Sequence, residues 1–312
     1  MNEPTIPLSK IWAQMHAVIQ EIWAITEPEI EKVAVRNDVP FELYLYSELG
    51  LDYFSLANFQ KRDPFTNPEK FEKTFTYLDV KGWIQPQPED EYKVTEMARA
   101  GVKFIIMAGD AKLPPPEAMP EIDLERLKVL LKKIALANDN APEPPEKWAI
   151  LKRFRVADRE SPVMTKIREY LLDLFAYRDD SHLEAARPHF NTAGIVWNVL
   201  GVTAGGTPVT AEKLAEQLAF RGYDADEYAI ALQAAQEIGW LEQAGDSGVY
   251  RILQQGIELR EHVENQTDAY FFAPWSALKQ EELDELQNRT SKPDESFADF
   301  AGLQKIICKS FP

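Results

Sequence analysis

Residues 67–84, NPEKFEKTFTYLDVKGWI, and residues 224–241, DADEYAIALQAAQEIGWL, align without a gap at an offset of 157. Each opens on a side chain able to cap a helix, Asn67 or Asp224, and closes on a glycine followed by tryptophan, Gly82-Trp83 or Gly239-Trp240. Phe71, Phe75 and Leu78 recur at helical spacing in the first stretch, and Tyr228 and Leu232 stand at the positions of Phe71 and Phe75 in the second. Asn67-Pro68 also places a proline at the first helical position, where its missing N–H costs nothing.

The flanking residues extend both copies. After Trp83-Ile84, a polar tip over residues 85–91 and then Tyr92-Lys93-Val94-Thr95 predict a β-hairpin, with Thr95 capping a helix through Phe104 to Met107. After Leu241, Val249 to Leu253 supplies the second hairpin strand, and Ile257 to Phe272 reads as a helix. On the other side, Ser55 caps a short helix holding Leu56 and Phe59 that Asp63-Pro64 ends. Thr210, Leu214 and Leu218 supply its counterpart, with a register slip of about two residues. Further helices are expected over Ile11 to Trp23, behind Pro7 and Ser9, then over Pro28 to Val35 and over Phe41 to Leu49.

Short helices followed by Gly-Trp-Ile, a tip and Tyr-x-Val-Thr resemble the wing of the MarR-like superfamily of winged helix-turn-helix proteins, over residues 41–107 and 195–264. The second half is also similar to a bacterial winged-helix family, through Tyr177-Arg178-Asp179-Asp180-Ser181-His182, Arg221-Gly222-Tyr223, Gly239-Trp240 and Thr267-Asp268-Ala269-Tyr270-Phe271. The resemblance implies an α+β, predominantly α-helical chain of two winged units. It further implies a third helix that enters the DNA major groove and a wing against the backbone. MarR-like proteins pair through helices outside the winged unit, so the helices at Ile11, Leu127 and Ile167 are expected to pack the two copies together as an internal dimer.

Four segments follow: a winged-helix domain over 1–110, a linker over 111–160, a second winged-helix domain with flanking helices over 161–290, and a tail over 291–312. The linker contains Leu113-Pro114-Pro115-Pro116, a helix from Asp123 to about Ala137, and a proline-rich break over 138–145. Ser161-Pro162 opens a helix with the stripe Ile167, Leu171 and Leu174, which Pro188 ends. Ser276 is expected to cap a short acidic helix, and Phe297 to Ile307 offers one more apolar segment.

Charge argues against the function the resemblance suggests. With 34 Lys+Arg against 51 Asp+Glu the chain carries −17, whereas a protein gripping duplex DNA needs a cationic surface. Residues 67–84 hold Lys70, Lys73 and Lys81 against three acids, so that Lys70, Lys73, Tyr77 and Lys81 are the DNA-binding candidates. Residues 224–241 carry −4 and no Lys or Arg, and the wing tips hold Glu89-Asp90-Glu91 and Asp246. A basic stretch over 126–155, at +5, includes Lys132, Lys133, Lys152, Arg153 and Arg155; it reads as a solvated face or as a site for an anionic partner.

Arg178 and His182 continue the stripe of Ile167, Leu171 and Leu174 and so turn inward, where a cation needs a carboxylate. A buried network of Arg178, Asp179, His182 and Asp268 is one reading; a metal or acid–base site using His182, His189 or His262 with Asp179 and Asp268 is the other. Nucleophile-elbow, phosphate-loop, dinucleotide and His-Glu-x-x-His patterns are missing from the sequence, so no enzyme and no cofactor is expected. The single Cys308 and the absence of a long apolar run point to a cytoplasmic chain with no membrane contact. Its partner would be duplex DNA, another protein or a second copy of itself. The function expected is that of a transcription-regulator-like DNA-binding protein, or of an interaction scaffold whose winged helices have lost DNA.

Overall fold

The computed structural model describes residues 7–48, 52–113, 120–189, 194–245 and 248–290. The expectations at Leu49, Pro114 to Pro116, Asp246, Phe297 to Ile307 and Cys308 lie outside them. The fold is α+β and predominantly helical, with two small antiparallel sheets.

The first helix, α1, runs unbroken from Leu8 to Arg36, so the two helices expected on either side of Pro28 are one. Pro28 deletes one main-chain hydrogen bond on an exposed face. Burial of Ile19, Ile22 and Trp23 before it, and of Ile30 and Val33 after it, holds the helix continuous. Next come α2 (Phe41–Glu48), β1 (Tyr53–Phe54), α3 (Leu56–Arg62), α4 (Pro68–Val80), β2 (Ile84–Pro86), β3 (Tyr92–Val94) and α5 (Glu96–Asp110). Ser55, Asn67 and Thr95 accept from Asn58, Glu69 and Ala98 N–H, capping α3, α4 and α5. The hairpin gains a third strand, β1, in the order β1-β3-β2, with Tyr53 opposite Lys93 and Ile84 opposite Val94. Phe54, Phe59, Phe71 and Phe75 pack edge to face behind it, with ring centroids of Phe59 and Phe75 4.8 Å apart.

Beyond α5 lie α6 (Glu121–Asn140), α7 (Trp148–Lys152), α8 (Val163–Ala186), α9 (Gly194–Thr203), α10 (Ala211–Gln217), α11 (Ala225–Glu237), β4 (Leu241–Gln243), β5 (Tyr250–Ile252), α12 (Gln254–Phe272) and α13 (Gln280–Thr290). Asp224 and Glu227 form a reciprocal capping box at the start of α11. Ser276 donates to Ala273 O inside a 3-10 turn, so it caps nothing, and α13 begins four residues later. The bounds of α4 and α11, and of β2 and β4, are both related by 157, and Gly82 and Gly239 share a left-handed φ of 75° and 79°.

Three apolar cores organise these elements. One gathers the second half of α1 with α2 to α5 and the three-stranded sheet. Another gathers α9 to α11, the β4–β5 hairpin and the ends of α8 and α12. Between them the first half of α1 packs with α6, α8, α13 and the end of α12, around Met15, Leu130, Leu174 and Trp275. Segments 1–110, 111–160 and 161–290 all contribute to this middle core.

The halves also meet directly. An ideal Cβ on Gly194 would stand 2.0 Å from the carbonyl oxygen of Pro64, so only glycine fits there. Asn198 Nδ2 donates to Phe65 O at 2.8 Å, and Phe65 is buried in the core of the second half.

Candidate nucleic-acid interface

α4 and α11, the helices expected to read DNA, each follow a short helix and precede a hairpin. Both bury one stripe and expose the other. In α4 the exposed residues are Glu69, Glu72, Lys73, Thr76, Tyr77 and Val80; in α11 they are Asp226, Ile230, Gln233, Gln236 and Glu237.

The N-terminal turns of the two helices face each other. Arg221 Nη1 donates to Asp63 Oδ1 at 3.0 Å and to Thr66 Oγ1 at 3.3 Å. Its guanidinium lies over Phe65 and Phe220, 5.4 and 5.0 Å from their ring centroids. Asn67 N–H donates to Arg221 O at 2.8 Å, and Asn67 Nδ2 reaches Gly222 O and Glu227 Oε1, each at 3.2 Å. Gly222, at φ 78°, admits Lys70 against its backbone, and Lys70 Nζ donates to Phe220 O. Arg62 closes the same seam on Asp179. Asp63 and Arg221 are both buried, so each needs the other. Burial is the largest influence on Arg221 and on Lys70 and draws both below their ordinary values.

This arrangement relocates most of the residues singled out for an anionic partner. Lys70 is spent on the second half of the chain and cannot reach a phosphate. Lys73 pairs with Glu69 at 3.2 Å in solvent, and Lys81 lies 3.9 Å from Asp38, with its Nζ 6.0 Å from the Tyr77 ring. Tyr77 is exposed beside Val80. The first wing turns at Glu89 and Asp90, both at positive φ, and presents acid at its tip. α11 offers no cation at all.

The basic linker patch is dispersed in the same way. Arg153 is buried and held by Glu169 and by Asp173, at 2.9 Å to the latter. Arg155 joins Asp173 at 2.8 Å, and Lys133 joins Glu282 at 2.6 Å. Lys147 donates to Asp139 O at 2.8 Å, capping the end of α6. Lys132 and Lys152 are the exposed members, on α6 and α7. These cations knit α6, α7 and the irregular segment after it to α8 and α13; they do not form one surface.

In the second half, Arg178 donates to Asp268 at 2.7 Å and to Glu264 at 3.3 Å, whereas Asp179 turns the other way, to Arg62. His182 Nδ1 sits 3.4 Å from Thr267 Oγ1 and 3.5 Å from Glu264. His189 and His262 meet each other instead, 5.7 Å between ring centroids. Among the described residues no three His, Cys, Asp or Glu side chains converge on a point that could hold a metal ion. Asp180 accepts from Ala149 and Ile150 N–H at 3.0 and 3.1 Å, and burial pushes its carboxyl up to about 6 despite Arg62 and those N–H groups.

Sequence reasoning missed the Asp63–Arg221 pair. The available signal was a charged residue in each of the turns that precede α4 and α11, Asp63 and Arg221, at places where the helices need only a stop.

Residues 167–303 match a family model described as a helix-turn-helix family, and that span holds α10, α11 and the β4–β5 hairpin. No curated protein and no solved structure matches the chain. No helix among the described residues is long and apolar enough to cross a membrane. The second half of this chain thus carries a helix-turn-helix, of the general kind that the family model describes.

Proposed function

We propose that the chain is a non-enzymatic, regulator-like protein of two winged helix-turn-helix units closed head to head on a shared helical core. It acts as an interaction scaffold rather than by gripping duplex DNA with both reading helices. The tandem reading is supported by the offset of 157 between α4 and α11 and between β2 and β4. The packing of α1, α6 and α8 in one core supports the parallel with a MarR-like dimer.

The observation that carries the functional reading is the contact between the N-terminal turns of α4 and α11. Each helix has 13 residues. At about 1.5 Å per residue, and joined through Asn67 and Glu227, their midpoints lie under about 30 Å apart even if the axes were collinear. Two reading helices on one face of a duplex need half-sites roughly 34–36 Å apart and free N-terminal turns. Neither condition holds in this state.

A second reading, in which an opened form binds DNA, takes its prompt from the helix-turn-helix match over residues 167–303 and its candidate contacts from the exposed Lys73, Tyr77 and Lys81, which lie outside that match. One experiment separates the two. Full-length protein is incubated with a pool of random-sequence duplexes at low salt, beside a variant carrying Asp63→Ala and Arg221→Ala. The scaffold reading expects no sequence enrichment with either protein. Enrichment with wild type, abolished by Lys73→Glu and Lys81→Glu, overturns it; enrichment with the opened variant alone transfers the function to the second reading.

A further inference from the structure

We propose that the cleft between α1, α8 and α12 binds a planar heteroaromatic molecule, neutral or weakly basic, that presents N–H donors. This site is separate from both reading helices, and it stands whether the chain's macromolecular partner is protein or DNA.

The cleft encloses about 270 Å³. That volume lies near the lower end of small-molecule sites, roughly 300–1,000 Å³, and suits one or two fused rings. Its walls are aromatic. Trp12 and Phe175 line it, and the His16 imidazole lies nearly parallel to the Phe175 ring, at 9° with centroids 6.0 Å apart. A flat ring can lie against such an aromatic wall at little conformational cost, although His16 and Phe175 stand too close together to admit a ring between them.

The polar side of the cleft is formed by Arg178, Asp179, His182 and Glu264. Its cation is already paired. Arg178 gives its N–H groups to Asp268 and Glu264 and stacks over Phe271, 5.3 Å from the ring centroid. Arg260 is drawn to Glu264 at 3.6 Å, and Arg62 to Asp179. Three guanidinium groups against Asp179, Glu264 and Asp268 leave no net positive charge for an anion.

Acceptors, in contrast, remain in surplus. A carboxylate offers roughly four lone-pair sites. Burial lowers both His16 and His182 below the ordinary imidazole value, so each is neutral near pH 7 with one accepting nitrogen; Gln20 Nε2, 3.2 Å from His16 Nδ1, takes that of His16, and His182 supplies the acceptor. With Nδ1 of His182 turned toward Thr267 and Glu264, Nε2 is the atom left to accept. A ring that carries amino or ring N–H groups satisfies these acceptors, and a carboxylate-bearing ring does not.

The chain's four histidines make the test direct, since His16 and His182 line the cleft while His189 and His262 pair with each other elsewhere. Full-length protein labelled at histidine is titrated with 2-aminobenzimidazole and, separately, with benzoate, and the ring resonances are followed. The amine is expected to move His16 and His182 and to leave His189 and His262 in place. Glu264→Gln, at a partly exposed position, is expected to weaken it about tenfold. Three results overturn the proposal: no shift with millimolar amine, equal or larger shifts with benzoate, or unchanged affinity in Glu264→Gln with its melting temperature intact.

Discussion

α4 and α11 have the same length, the same stop and the same buried partners, yet opposite faces. Phe71 and Tyr228, Phe75 and Leu232, Leu78 and Ala235, and Trp83 and Trp240 stand in matching buried places. At the matching exposed places, Lys73 corresponds to Ile230, Val80 to Glu237 and Lys81 to Ile238. The buried set specifies the fold in both halves, and the exposed set is free to differ, so a shared backbone says little about shared ligand chemistry. Apolar and acidic groups on α11 suit a protein surface and repel phosphate. Where the two copies do complement each other is at their N-terminal ends, through Asp63 with Arg221, Asn67 with Glu227 and Lys70 with Phe220.

That contrast ranks the effects of substitution. Arg221→Met should cost about 3–5 kcal/mol, because it leaves the Asp63 carboxylate buried without its partner. Urea unfolding measures this, and a loss below about 1 kcal/mol would mean that the heads are not joined in solution. Asp180, behind the Arg62–Asp179 contact, gives a smaller and pH-dependent effect. Its carboxyl is raised to about 6 in the folded chain, so the folded state holds the proton more tightly than the unfolded one. Its contribution is therefore complete below about pH 4 and is lost as pH rises through about 6, on the order of 2 kcal/mol. Compared with Asp180→Asn, in which histidine contributions of the opposite sign cancel, wild type should lose that amount between about pH 4.5 and 7.5. Parallel curves would place Asp180 in an ordinary carboxyl environment. The smallest effect belongs to the exposed faces themselves. Exchanging Lys73→Ile with Ile230→Lys should change stability by less than about 0.5 kcal/mol, read by thermal melting. A larger loss would show that one face is covered in solution.

Much of this architecture was legible in local signals. Asn67-Pro68, Asp224 with Glu227, the apolar stripes and the two Gly-Trp pairs carry cap, face and stop within a few residues, and those elements form where expected. α9 left no such mark. Val196, Trp197, Val199 and Leu200 are buried on several faces, so no amphipathic period survives to be read. β1 has two residues, too few for an alternating pattern. Pro28 read as a break because the rule is local, and the two cores that hold α1 straight on either side are not.

The candidate interface was legible only in part for a related reason. Lys70, Lys73, Tyr77 and Lys81 share one helix face by spacing, which marks a solvent stripe in an isolated helix. Lys73, Tyr77 and Lys81 do meet solvent, but Lys70 is taken by Phe220, 150 residues away, and no periodicity reports that. Arg153 and Arg155 likewise counted toward a basic run until α8 supplied Glu169 and Asp173 from farther along the chain.

Gly194 bears on how far the halves of this chain could be exchanged. Its missing side chain lets the start of α9 rest on the carbonyl of Pro64, so a residue numbered in one half is dictated by main chain belonging to the other. A chimaera joining the first half of this protein to the second half of a relative would have to preserve that glycine, or carry a compensating shift near Pro64. The two halves are heritable as a matched pair, tied at this point by shape alone.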